Sequence, residues 1–185
     1  MKNYICISIT ISITALVLSS CSDDESYYKG DDAKEALKKE WNVNSIEVKS
    51  SYPEKDEIPN FLLKTFILNT KSYTKKIDGQ NITTHIEAKS EPLLFQPITF
   101  TDRYAAMDNN LIVESSILGN QNIPYTFQVS NKKLVLKFKF NKEMFAILFQ
   151  AIGENVDPNI AQNIQQMLAE IPDDYSGDLW LNLQR

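Results

Sequence analysis

Residues 125–140 read YTFQVSNKKLVLKFKF, and the fold class turns on that stretch. Tyr125, Phe127 and Val129 alternate with polar residues, and Leu134, Leu136, Phe138 and Phe140 alternate with a set that includes Lys133, Lys137 and Lys139. Successive side chains of a strand point to opposite faces, so each run puts large apolar groups on one side and polar groups on the other. Ser130-Asn131 between them has turn chemistry. The stretch predicts an antiparallel hairpin with one face buried and one face wet.

Working toward the N-terminus, the same punctuation recurs. Leu111–Leu118 is bounded by Asp108-Asn109-Asn110 and Gly119-Asn120. Leu93–Phe100 carries Pro92 and Pro97, which predicts an edge or bulged strand. Ile82–Lys89 has Ile82, Thr84, Ile86 and Ala88 on one face, and Asp78-Gly79 before it signals a hairpin. Leu62–Lys76 is rich in β-branched and aromatic residues and reads as a long strand. The run WNVNSIEVK, opening at Trp41, changes apolar phase between Val43 and Ile46, as a bulged strand does. Before it, Asp32 suits the cap of a short helix over Ala33–Glu40, with Ala36 and Leu37 facing inward.

Toward the C-terminus the period changes. Asn141 is placed to cap a helix over Lys142–Ile152, with Met144, Phe145 and Leu148 on its apolar face and Gly153 as its stop. Asp157-Pro158 opens a second helix, with Ile160, Ile164, Leu168 and Ile171 at helical spacing before Pro172. After residues 173–178, Leu179, Leu181 and Leu183 alternate in a last strand. No internal repeat or linker divides residues 33–185, which read as one domain.

About eight antiparallel strands with two helices before the last one resemble the lipocalin-like (calycin-like) lipoproteins of Bacteroidetes. The resemblance rests on element order across residues 33–185. It implies a closed β-barrel in which the last strand pairs with the first and removes the edges. Trp41 sits about where lipocalins carry the tryptophan of a Gly-x-Trp signature, although Lys39 stands where the glycine would be. A two-sheet β-sandwich with a helical insertion is the alternative architecture.

The N-terminus carries a different message. Lys2 is the one charge of a short leading segment, and Tyr4–Leu18 contains no charge. That run is shorter than the roughly 20 residues of a membrane-spanning helix and has the length of a secretory signal core. Leu18-Ser19-Ser20-Cys21 resembles the lipobox of bacterial lipoproteins. The resemblance implies cleavage after residue 20 and lipidation of Cys21 by diacylglycerol, with a further acyl chain such as palmitate on the new amine. Several chains are needed because one holds only marginally. Ser22, Asp23, Asp24 and Glu25 then resemble the export signal of surface-exposed Bacteroidetes lipoproteins. Residues 1–20 are thus expected to be a signal peptide, 21–32 a lipidated acidic tether, and the domain an outer-membrane passenger facing the exterior.

Loss of residues 1–20 removes Lys2 and no acid, so the net charge falls from −5 to −6. An acidic chain without a basic patch speaks against nucleic acid as a partner and against electrostatic membrane binding. Cys6 leaves with the signal and Cys21 is acylated, so no disulfide and no cysteine metal site is expected.

Little in the domain announces chemistry. His85 is the one histidine; it shares a polar strand face with Glu87 and has no nucleophile or second ligand at recognisable spacing. The loop Asp173-Asp174-Tyr175-Ser176-Gly177-Asp178 has oxygen ligands but lacks EF-hand spacing. No phosphate-binding glycine loop and no Gly-x-Ser-x-Gly occurs, so no cofactor, metal or catalytic residue is assigned. The amphipathic aromatics Tyr27, Tyr28, Tyr52, Tyr73, Tyr104, Tyr175 and Trp180 could stack on a sugar ring or line a barrel mouth, and Trp41, Tyr73, Tyr104 and Trp180 are the candidates for lining a ligand site. Trp180 points outward if Leu179, Leu181 and Leu183 fill the barrel, and inward to line a cavity if those leucines pack on the helices.

The first functional expectation is a non-catalytic binding module for a small apolar or glycan-like ligand, or for a partner envelope protein. The second is an accessory subunit of an outer-membrane complex with a barrel filled by side chains. A hydrolase, the third, requires carboxylates or His85 to converge in a cleft. The anchor itself is directly testable: Cys21→Ser is expected to abolish metabolic labelling by a fatty acid that the unaltered chain incorporates.

Overall fold

The computed structural model describes residues 26–50, 52–89, 96–153 and 158–185. The expected signal peptide, Cys21 and the segment Ser22, Asp23, Asp24, Glu25 lie outside the described residues, as do Pro92, the start of the strand expected at Leu93, and the cap expected at Asp157.

Eight strands follow one another around a closed antiparallel barrel. They are β1 (Glu40–Ser50), β2 (Thr70–Asp78), β3 (Asn81–Ala88), β4 (Ile98–Met107), β5 (Asn110–Ser115), β6 (Gln121–Val129), β7 (Lys133–Asn141) and β8 (Ser176–Gln184). Closure is made by β8, which pairs with β7 on one side and with β1 on the other. The sandwich alternative is therefore set aside.

Alternation explains which faces turn inward. Leu134, Leu136 and Phe140 of β7, Leu179, Leu181 and Leu183 of β8, and Ile82, Thr84, Ile86 and Ala88 of β3 are all buried. The phase switch in β1 is a register shift between Val43 and Ser45 against β8. That bulge keeps Trp41 and Val43 buried at one end of the strand and Val48 buried at the other.

The two ends of the barrel differ. At the end bearing the β2–β3, β4–β5 and β6–β7 turns, helix α1 (Gly30–Leu37) packs Ala33 and Leu37 wholly out of solvent. The Tyr28 N–H donates to the Val129 carbonyl (2.8 Å), and the Trp41 Nε1–H donates to the Leu37 carbonyl (3.0 Å). This end is plugged. The helix begins earlier than Ala33: Lys29 occupies the cap position, and Asp31 and Asp32 lie in the first turn, where carboxylates favour the helix dipole.

The opposite end carries α2 (Glu57–Leu68), α3 (Lys142–Gly153) and α4 (Pro158–Glu170). Asn141 caps α3 as its position suggested, its Oδ1 accepting from the Met144 N–H at 2.9 Å. The strand expected over Leu62–Lys76 is a correction: Leu62–Leu68 completes α2, and only from Thr70 does the chain become β2. Pro59, Leu62 and Leu63 form the buried stripe of α2, so tertiary burial of a helical face outweighed β propensity. The expected edge strand Leu93–Phe100 is also corrected. The strand begins at Ile98, after Pro97, and runs to Met107 with β3 and β5 on its two sides.

One seam is short. β1 pairs with β2 only over Glu40↔Lys76, Trp41↔Lys75 and Asn42↔Thr74. Farther along β1, α2 takes the place of a strand. Asn60 Oδ1 accepts from the Val48 N–H (2.7 Å) and Asn60 Nδ2 donates to the Val48 carbonyl (2.8 Å). One side-chain amide thus imitates the peptide of a missing neighbour. Nearby, the buried Asp56 accepts from the Ser50 N–H and the Tyr175 hydroxyl, both at 2.9 Å, and ties β1 to the start of β8.

Asn60→Ala leaves both backbone groups of Val48 without their partner and is expected to cost about 2 kcal/mol in urea unfolding. Lys64→Ala, on an exposed position of the same helix, should stay within about 0.5 kcal/mol of the parent.

Candidate functional site

On β2, Tyr73, Lys75 and Ile77 stand opposite Ile86, Thr84 and Ile82 of β3. Because those β3 partners are buried, Lys75 must project into the barrel with its apolar neighbours. On β4 the same reasoning applies to Asp102, which stands opposite Ile82 and is itself buried. A cation and an anion therefore occupy an interior whose other buried side chains are mostly apolar.

They border a cavity of about 90 Å³. Its polar lining is Lys75, Asp102, Ser115 and Tyr125, near the middle of the barrel. Above them, toward the helical end, the lining is apolar: Leu63 from α2, Met144 and Leu148 from α3, and Leu118 after β5. The cavity thus has a polar floor and an apolar mouth. Ile46 belongs both to its wall and to an outer groove that it shares with Asn60, Ile67 and Leu68.

The floor is unevenly satisfied. Asp102 Oδ1 accepts from the Ser116 N–H and the Ser116 hydroxyl, each at 2.7 Å. Lys75 Nζ donates to Thr84 Oγ1 at 2.9 Å, and no carboxylate among the described residues lies within ion-pair distance of it. The ammonium also stands 5.8 Å from the Tyr73 ring centre and 5.9 Å from that of Phe100, where the ring faces attract a cation.

Burial lowers the Lys75 amine from its ordinary value to about 8, with the Asp102 charge pulling the other way. The phenols of Tyr73 and Tyr125 are pushed upward, first by burial, with the negative Asp102 adding to it. At neutral pH the floor therefore offers an ammonium and the Tyr125 phenol O–H beside one carboxylate. Such a set holds a polar head by charge-assisted hydrogen bonds; the deprotonated amine is also a nucleophile.

The other aromatics named from the sequence lie elsewhere. Trp41 is wholly buried against the α1 plug. Tyr104 is buried on β4 beyond Asp102, toward the plugged end. Trp180 faces outward, with Lys49 and Lys137 at 5.3 and 4.7 Å from its ring centre, and lines an outer groove with Tyr27, Tyr28 and Gln128. None of the four lines the cavity; Tyr73 is near enough to Asp102 and Tyr125 of its floor to couple electrostatically.

His85 sits on the outer wall, its Nδ1 2.8 Å from Thr99 Oγ1, and Glu87 pairs with Lys71 at 2.9 Å. The carboxylates of residues 173–178 go to separate lysines: Asp173 to Lys142, Asp174 to Lys55, and Asp178 to Lys137 and Lys139. Among the described residues no three His, Cys, Asp or Glu side chains gather as a metal site would require.

No protein-family model matches the sequence, and no curated protein matches it significantly. The class is set by the fold: an eight-stranded antiparallel barrel, consistent with a lipocalin-like domain.

Sequence reading passed over Lys75 and Asp102. The signal was present: Tyr73 and Ile77 flank Lys75 at strand period, as Phe100 and Tyr104 flank Asp102.

The Lys75 amine is lowered relative to the unfolded chain, so between about pH 8 and the ordinary lysine range the unfolded state binds more protons and stability rises with pH. Lys75→Met removes that dependence. With Tyr73, Asp102 and Tyr125 left in place, the variant is expected to be up to about 3 kcal/mol more stable than the parent at pH 7. The advantage should shrink toward pH 10, as read by chemical unfolding at the two pH values. Equal stability at pH 7 would place the amine in water.

Proposed function

We propose that this protein is a lipid-anchored envelope binding module whose barrel interior holds one small amphiphilic molecule without transforming it. The carrying observation is the cavity with a lysine and an aspartate on its floor and apolar side chains at its mouth. Unpaired buried charge is costly and is kept where it contacts something. At neutral pH an amine titrating near 8 is mostly protonated, which suits it to holding a ligand better than to nucleophilic attack. His85, on the outer wall, is in no position to assist at the cavity.

The anchor reading fits this arrangement. Gly30 opens the helix that plugs one barrel end, and Cys21 is nine residues before it, a reach of at most about 30 Å. A lipid on Cys21 would hold the plugged end toward the membrane and leave the helical end, where the cavity mouth lies, facing away from it.

A second reading draws on cavity size. About 90 Å³ is below the roughly 300 Å³ at which pockets for drug-sized ligands begin, and this favours the filled barrel of an accessory subunit. Native mass spectrometry of the protein purified from its own envelope separates the two. A non-covalent adduct of low mass is expected. Recovery only as a complex with another protein, with no small molecule in any charge state, would favour the accessory subunit.

A further inference from the structure

From the balance of donors and acceptors on the cavity floor, we propose that the ligand is a short-chain aliphatic monocarboxylate, its carboxylate held by Lys75 and the hydroxyl of Tyr125. This rests on the interior-binding reading and adds the chemical class of the ligand.

An ammonium drawn partly out of water is normally matched by an anion, yet among the described residues the one hydrogen bond of the half-buried Lys75 goes to the Thr84 hydroxyl. Asp102 does not fill the role. It lies beyond ion-pair distance of Lys75, and its Oδ1 is already held by two donors from Ser116. Neither Tyr73 nor Tyr125 has a hydrogen-bond acceptor for its hydroxyl among the described residues. Of these donors Lys75 and Tyr125 line one opening, and a carboxylate, acceptor-only when ionised, satisfies both.

The rest of the cavity sets the tail. Leu63, Leu118, Met144 and Leu148 offer no polar atom to a second head group. About 90 Å³ corresponds to the space of roughly six waters, which suits a carboxylate with a few methylenes and no ring system. Met144 adapts its shape readily, so modest variation in chain length is tolerated. A longer chain overfills the cavity and has to displace α3.

The test is a calorimetric titration of the purified protein at pH 7 with sodium acetate, sodium hexanoate, sodium decanoate and 1-hexanol. Hexanoate is expected to bind at least about tenfold more tightly than 1-hexanol, since only the acid forms charge-assisted bonds, and more tightly than acetate or decanoate. Lys75→Met, expected to fold at least as well as the parent, should reduce hexanoate affinity about tenfold or more while leaving 1-hexanol within about threefold. Tyr125→Phe should weaken hexanoate by a smaller factor. If 1-hexanol binds as tightly as hexanoate and Lys75→Met alters neither, the carboxylate assignment is overturned and interior binding stands. If none of the four binds, both fall.

Discussion

Pairing of β8 with β1 is the contact on which the rest of the molecule depends. A sheet of eight strands left open would present two unpaired edges, and the inward side chains of each strand would have half their neighbours. β8 runs alongside β1 from Asn42↔Gln184 to Ser50↔Gly177, passing through the bulge at Val43 and Ser45. The approach is close at its far end. A Cβ on Gly177 would lie 2.9 Å from Val48 Cγ1 and 3.0 Å from the Lys49 carbonyl oxygen, so only glycine lets the strands meet there. The same end is fastened by the Tyr175 hydroxyl on Asp56.

Closure then decides what the interior contains. Once β1 and β8 are joined, strand period places Lys75 and Asp102 inside, because their neighbours on the same faces are core residues. Elsewhere the barrel obeys the expectation that charge stays in water, with Lys137 and Lys139 outside on Asp178. A buried amine lowers stability relative to a hydrophobe of similar volume. Retaining it beside a cavity, beneath an apolar mouth, is the kind of local conflict that accompanies function rather than folding.

The hairpin of β6 and β7, the buried face of β3 and the leucine triad of β8 were legible because each alternates cleanly, and the bulge in β1 because its apolar phase switches once between two alternating runs. Two regions were not. α2 was hidden by its own composition: Phe61, Thr65, Phe66 and Ile67 are good strand residues, and only burial of Pro59, Leu62 and Leu63 against the open β1–β2 seam makes the segment helical. The floor of the cavity was hidden for a different reason. Polar residues at core phase break the alternation that sequence reading relies on, so β2 and the middle of β4 lost their signature where they carry Lys75 and Asp102.

The account stands on Lys75 being held inside the closed barrel, and the titration of its amine, followed by NMR through the side-chain Cε and Nζ nuclei, measures this most directly. The structure predicts a midpoint of about 8. A midpoint at the ordinary lysine value, near 10.5, would put the amine in water and contradict the interior site.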